Sequence, residues 1–191
     1  MSVVIHKSDP AAARCAAECM LRGGIAILPT DTVYGFSGIA LHADPEHDDI
    51  AQKIRAVKGR SEKKPFIKLL ASPDDIARYT DEPLPPSVHA RWPGALTVIV
   101  QNRAGGTDAF RCPGDSWLRA VIAQCGVPLY STSVNKSGSP VLSRAADIIE
   151  TFRNAVDLIV IAGDTGDALP STIVSVVAGT VTVVRQGAVV L

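Results

Sequence analysis

Apolar and polar positions divide the chain into short strands and helices. Ser8-Asp9-Pro10 reads as a helix start, a capping side chain ahead of a proline in the first turn. AAARCAAECMLR supplies helix formers, and Gly23-Gly24 stops the helix. IAILP (25–29) is a short buried strand that feeds the polar turn PTDTVYGFSG. Residues 48–57 read as helix and PFIKLLA (65–71) as strand. DDIARYT (74–80) is a helix with acids at its N-terminus, where the dipole favours them, and Pro83, Pro85 and Pro86 make a loop. ALTVIVQ (95–101) is a strand, DSWLRAVIAQC (115–125) a helix ended by Gly126, PLYSTS (128–133) a strand and 145–153 a helix. VDLIVIAG, STIVSVVAG and TVTVVRQG close the chain as three strands. Strands alternate with helices early and gather late. That pattern predicts an α/β (α+β) fold with a mixed sheet flanked by helices. No repeat, low-complexity tract or linker interrupts residues 1–191, so a single domain is expected.

Hydrophobic residues make up 47% of the chain, which places it among globular proteins. Lys plus Arg equals Asp plus Glu at 19 each, so a generally basic nucleic-acid coat is not expected, and any anion-binding role must be local. The segment from Lys53 to Lys68 is that locality, with seven cations against Glu62 around the stretch KGRSEKKPF. The acids gather elsewhere, in DPEHDD (44–49) and around Asp74, Asp75, Asp81 and Glu82. Cys15 and Cys19 lie four apart and share one helix side, while Cys112 and Cys125 stand alone. With no C-x-x-C pair, reduced thiols of a cytoplasmic protein are expected and a structural zinc site is not. The start MSVVIHKSDP lacks the pattern of a signal peptide, and no apolar run approaches the roughly 18 residues of a membrane span.

The common nucleotide loops, G-x-x-x-x-G-K-[ST] and G-x-G-x-x-G, are absent, as is a G-x-S-x-G elbow. His6, His42, His47 and His89 have no metal-ligand spacing, and no side chain is assigned to a metal. Four polar stretches lie at or beside strand ends, where α/β sites form. In PTDTVYG, Thr30 and Thr32 present hydroxyls and Tyr34 an amphipathic ring; a turn that satisfies its own backbone is the plain alternative. In the basic cluster, Lys58 and Arg60 alternate, Gly59 allows close approach, and Lys64 precedes the stiff Pro65. That set suits a polyphosphate, and equally a solvated basic loop. In STSVNKSGSP, Ser133 and Asn135 alternate, so both can face one cavity or belong to a hydrophilic turn. Ser171 and Arg185 adjoin apolar strands, and a charge there needs a partner: an anionic ligand, or an Asp or Glu elsewhere in the fold.

In order, PTDTVYG, K-x-R-x-x-x-K-P, WPGALT, R-x-P, S-x-N-x-S-G-x-P, STIV and R-x-G resemble the YrdC-type threonylcarbamoyl-AMP synthases, over about residues 24–187. The resemblance implies a nucleotidyltransferase that takes L-threonine, bicarbonate and ATP, with Mg2+, to threonylcarbamoyl-AMP and pyrophosphate. The product would feed threonylcarbamoyladenosine next to the anticodon of tRNA through a separate downstream threonylcarbamoyl transferase complex, and tRNA itself is a candidate contact. The implied fold is an open, twisted sheet around a basic concave cavity. By position, Arg60, Lys64, Thr107, Asn135, Ser143 and Arg185 would bind ATP. Thr32, Arg111, Ser133 and Ser171 would hold threonine, with Arg111 against its carboxylate. Lys58, Arg60, Ser133 and Asn135 would be the catalytic set, with Thr30 and Tyr34 shaping the pocket. Two departures stand out. Leu69 falls where some members place a histidine, and the turn GFSGIALHADPEHDD is longer than usual.

Two anions must meet in such a reaction, so fixed cations and positioning are expected to carry it. Asp31 lies beside the first motif and is given no role as a base. The rival readings are a module binding structured (double-stranded) RNA, other carbamoyl-adenylate chemistry as in hydrogenase-maturation proteins, and a paralogue of altered activity. Against RNA, aromatics are 5% and none interleaves with cations. The hydrogenase-maturation domain sits in a much longer chain with cysteine-pair zinc fingers.

Overall fold

The computed structural model describes residues 2–41, 48–59 and 65–191. β1 (Val3–His6) leads to α1 (Ala12–Leu21), followed by β2 (Ala26–Leu28), β3 (Gly35–Ile39), α2 (Asp49–Lys58) and β4 (Ile67–Leu69). A 3-10 turn (Pro73–Arg78) and the short α3 (Pro86–His89) precede the hairpin of β5 (Leu96–Gln101) and β6 (Thr107–Arg111). Then come α4 (Ser116–Cys125), β7 (Leu129–Ser133), α5 (Ala145–Phe152), β8 (Leu158–Ile161), β9 (Thr172–Val177) and β10 (Thr180–Arg185). The strands join one mixed sheet in the order β1-β8-β2-β3-β7-β4-β6-β5-β9-β10. β8 pairs parallel with both β1 and β2; β3 pairs antiparallel with β2 and β7; β4 with β6 and β5 with β9 are again parallel. Among the described residues no helix is long and apolar enough to cross a membrane.

Register assigns the two faces of the sheet. Tyr130, Lys68, Phe110, Val98 and Val174 oppose one another across β7, β4, β6, β5 and β9, and so share a face. All five are buried. Lys68, the one cation in that row, meets Asp108 at 2.9 Å, and its ammonium lies over the Phe110 ring. Helices close this face. Phe152 of α5 meets Phe36 of β3 edge-on at 4.9 Å, and Asp48 ties α2 down from two sides. One Asp48 oxygen caps the helix by accepting from Ile50 N (2.8 Å), and the other accepts from Tyr130 Oη (3.2 Å).

Most of the expected elements are present, and the differences have physical reasons. The first helix begins at Ala12, not at Ser8-Asp9-Pro10; Asp9 Oδ1 accepts from Ala11 N at 2.8 Å and closes a turn ahead of it. The 74–80 segment winds as a 3-10 turn, and the proline loop contains α3. β1 and β6 are additional strands. So is β3, in the stretch read above as turn. Its two glycines are forced by packing: a β-carbon at Gly38 would stand 2.4 Å from Ile50 Cγ2, and one at Gly35 2.8 Å from Ser131 Oγ. Of the long turn GFSGIALHADPEHDD (35–49), residues 35–39 form β3 and residues 42–47 lie outside the described residues. All four cysteines are free thiols, and burial raises Cys19, Cys112 and Cys125 to about 11, as expected of unreactive packed groups.

Gly38→Ala tests the contact of α2 with the sheet. Overpacking there is expected to cost about 1–3 kcal/mol, or roughly 2–12 °C in Tm for a chain of this size. Scanning calorimetry reads it, and an unchanged Tm would count against the close approach.

Candidate active site

Sheet register places two arginines on one row. Arg111 opposes Leu69, Thr97 opposes Ile173, and Ile173 opposes Arg185. Val98 opposes Phe110, so one step further Thr97 faces Arg111. Arg111, Thr97, Ile173 and Arg185 thus lie on the face away from the Tyr130–Phe110 row. Their backbones span three strand spacings, about 14 Å, which two long side chains can close. Both arginines line a cleft of about 400 Å³ with Thr30, Thr32, Tyr34, Ser133 and Ser171. Seven of the expected site residues therefore meet in one cavity.

The two guanidinium groups have opposite surroundings. Arg111 is 4% exposed. Its Nε donates to Gly94 O (3.0 Å), Nη1 to Thr32 Oγ1 (2.9 Å) and Nη2 to Asp31 Oδ1 (2.6 Å). The other oxygen of Asp31 accepts from Gly114 N at 2.7 Å. Arg185 is exposed; its Nη2 donates to Ser171 O at 2.6 Å, and among the described residues it has no acidic partner. Partial desolvation by the cleft walls, and then the charge of Arg111, pull the Arg185 pKa below its usual range. A destabilised cation next to a second cation makes this end of the cleft a place for an anion.

Hydroxyl protons in the first motif are already committed. Thr30 Oγ1 donates to Val33 O at 2.8 Å, so the 2.9 Å contact between the two threonine hydroxyls has Thr32 as its donor. Tyr34 Oη donates to Gly163 O (2.6 Å) and accepts from Ala162 N (2.8 Å), pinning the chain just after β8. Ser171 Oγ and Thr97 Oγ1 are 2.8 Å apart, and both are buried.

The S-x-N turn is locked from behind. The Lys58 ammonium is buried and donates to Ser133 O, to Asn135 O (3.2 Å) and to Asn135 Oδ1 (2.9 Å). Asn135 Oδ1 also accepts from Ser133 Oγ at 2.8 Å, and Asn135 Nδ2 donates to Lys136 O and Ser139 O. Ser133 therefore faces the cleft, while Asn135 turns into its own loop. Thr107 shares the face of Arg111, but it stands four residues back along β6, about 13 Å away, and does not line the cleft. Ser143 lies beside it in neither sequence nor cleft; its carbonyl accepts from Thr165 N at 2.8 Å. Arg60 and Lys64 lie outside the described residues.

Sequence reasoning missed Asp31, Gly94, Thr97 and Ser131. For Asp31 a signal existed: an arginine at the end of an apolar strand needs an acid, and PTDT offers one. Ser131 and Ile67 oppose each other on the site face and line the cleft, which only register reveals.

The profile of the Sua5/YciO/YrdC family, described as "Telomere recombination", matches residues 18–187. The threonylcarbamoyl-AMP synthase of Bacillus subtilis (strain 168) is 30% identical over 187 residues, covering 90% of this chain and 51% of that protein. Two structures of P. abyssi Sua5 superpose on 98% of this chain and 57% of theirs. One, a double variant, has TM-score 0.85 and 27% identity; the other, complexed with L-threonine, has TM-score 0.84 and 24% identity. E. coli YciO gives TM-score 0.80 at 23% identity, over 98% of this chain and 96% of its own. The chain spans about half the length of the B. subtilis and P. abyssi proteins. The profile match takes in every strand that builds the cleft and both of its arginines, and on it the chain belongs to the Sua5/YciO/YrdC family.

Proposed function

We propose that this chain forms L-threonylcarbamoyl-AMP from L-threonine, bicarbonate and ATP, releasing pyrophosphate, and so acts as a nucleotidyltransferase. The carrying observation is the pairing in one cleft of a compensated guanidinium, Arg111, with Arg185, which has no acidic partner among the described residues. Such a pair suits two anionic reactants that must approach each other. The names of the relatives support the reading: the B. subtilis protein is a threonylcarbamoyl-AMP synthase, and the P. abyssi protein of this fold holds L-threonine.

In this reading the threonine amine attacks carbon dioxide with release of one proton to solvent, or bicarbonate with loss of water, and the N-carboxylate forms away from bulk water, where it loses carbon dioxide less readily. The new carboxylate attacks the α-phosphorus of ATP, and charge grows on the departing pyrophosphate. Arg185 meets that charge, with Arg60 and Lys64 as further phosphate partners. Arg111 takes the threonine carboxylate, with Thr32, Ser133 and Ser171 around the amino acid. Thr107 and Ser143 flank the nucleotide at a distance from the reacting atoms. Lys58 and Asn135 hold the turn that presents Ser133. A magnesium ion carried by ATP would help neutralise the triphosphate, and no protein side chain is assigned to it. The product would pass to a threonylcarbamoyl transferase complex acting on tRNA, in the cytoplasm.

Pyrophosphate release is the test. It is expected to require both threonine and bicarbonate, and release independent of either would refute the synthase. A salt-sensitive RNA gel shift with no turnover would favour the RNA module instead. Arg185→Ala is expected to lower the rate roughly 10²–10³-fold while the protein melts near the parental temperature. Lys58→Met separates support from chemistry: carbonyl oxygens left unmet cost about 1–3 kcal/mol, so its Tm falls along with its activity. A Lys58→Met protein with parental Tm and no activity would place the ammonium on the substrate instead.

A further inference from the structure

Asp31 does not line the cleft, yet it bears directly on what the buried arginine of the cleft can bind. A guanidinium carries five N–H groups. Arg111 uses one on each nitrogen, toward Gly94 O, Thr32 Oγ1 and Asp31 Oδ1, which leaves one on each terminal nitrogen. Two such groups match the two oxygens of one carboxylate. The Asp31 charge also makes the pair neutral, so Arg111 offers direction without the net charge that draws a polyphosphate. Arg185 has the reverse character: one N–H is spent on Ser171 O, and among the described residues no acid offsets its charge.

We propose that Asp31 is a positioning and charge-compensating residue that reserves Arg111 for the carboxylate of the amino-acid substrate and leaves the phosphates to Arg185. The inference rests on the synthase reading above, in which Arg111 takes that carboxylate. Asp31 is itself held in place from the side away from Arg111. Its second oxygen accepts from Gly114 N, and a β-carbon at position 114 would stand 2.9 Å from that oxygen. Gly114 does not line the cleft, its backbone is not in the left-handed region, and an added β-carbon there would meet Gly94 Cα at an ordinary 3.6 Å, so Gly114→Ala presses first on the carboxylate.

The experiment compares the parent with Asp31→Asn, Asp31→Glu and Gly114→Ala, measuring pyrophosphate release with threonine and ATP varied in turn. Inorganic tripolyphosphate serves as the probe for phosphate entering the amino-acid subsite. Asp31→Asn is expected to raise the KM for threonine about tenfold or more, the loss expected with a charge-assisted hydrogen bond, and the KM for ATP less than about twofold. Tripolyphosphate becomes competitive against threonine in that variant and not in the parent. Gly114→Ala shows the same split in smaller measure, and Asp31→Glu, which keeps the charge, recovers part of the threonine affinity. Melting curves check each variant, and Gly114→Ala carries the test if Asp31→Asn does not fold. Equal rises in both KM values, or a fall in kcat alone, reduce Asp31 to a structural prop and overturn the inference. An active parent with an unchanged threonine KM in Asp31→Asn overturns it while the synthase reading stands. A parent without threonine-dependent release overturns both.

Discussion

An arginine is tolerated inside a sheet only while its charge and its N–H groups are met. Arg111 is that residue, and its needs organise the molecule. Asp31 and Thr32 must reach it from the turn between β2 and β3, although β6 lies three strands away from β3 in the sheet. Gly94 must offer its carbonyl from the segment before β5, and Gly114 must steady Asp31 from the segment after β6. One guanidinium thus fixes three connections relative to one another, and the first of them, the turn between β2 and β3, borders the cleft. Breaking any one of its bonds leaves a buried polar group without a partner, so the turns hold one arrangement instead of sampling several.

The two faces of the sheet explain how a chain of zero net charge makes a charged hollow. Alternation sends Tyr130, Phe110, Val98 and Val174 to one side, and Arg111, Thr97, Ile173 and Arg185 to the other. A slip of one residue in β6 would bury Arg111 among aromatic rings and turn Phe110 to the cleft, so the apolar row enforces the polar one. Lys68 shows the cost of an exception. It sits in the apolar row and needs Asp108 at 2.9 Å to remain there.

Much of this was legible in the chain. The apolar runs at 95–101 and 128–133, the helix read at 48–57 and the helix ended by Gly126 appear where expected, because local propensity and packing agree there. β3 was not legible, because glycine argues against a strand in isolation. Its glycines answer Ile50 and Ser131, contacts that exist only after folding. In the same way, alternation put Ser133 and Asn135 on one face. Lys58 overrode it by drawing Asn135 Oδ1 inward, an effect of tertiary structure with no local trace. For Arg185 two partners stood open, a ligand or an acid. Among the described residues no acid reaches it, whereas Arg111 found one in PTDT.

The committed hydroxyls bear on what kind of chemistry the cleft supports. The protons of Thr30, Thr32, Tyr34 and Ser133 all point at protein acceptors, and Asn135 makes its four hydrogen bonds within its own turn and with Lys58 and Ser133. A network in that state has little to offer as a proton relay, because each group would first have to break an existing bond. It suits fixed dipoles, which stabilise growing charge most when they need not turn to meet it. Among the described residues, the charged groups that line this cleft are then two arginines, one neutralised by Asp31 and one without an acidic partner. Under the synthase proposal such a cleft would place two anions and bear their charge, a task that asks for fixed cations more than for a paired acid and base.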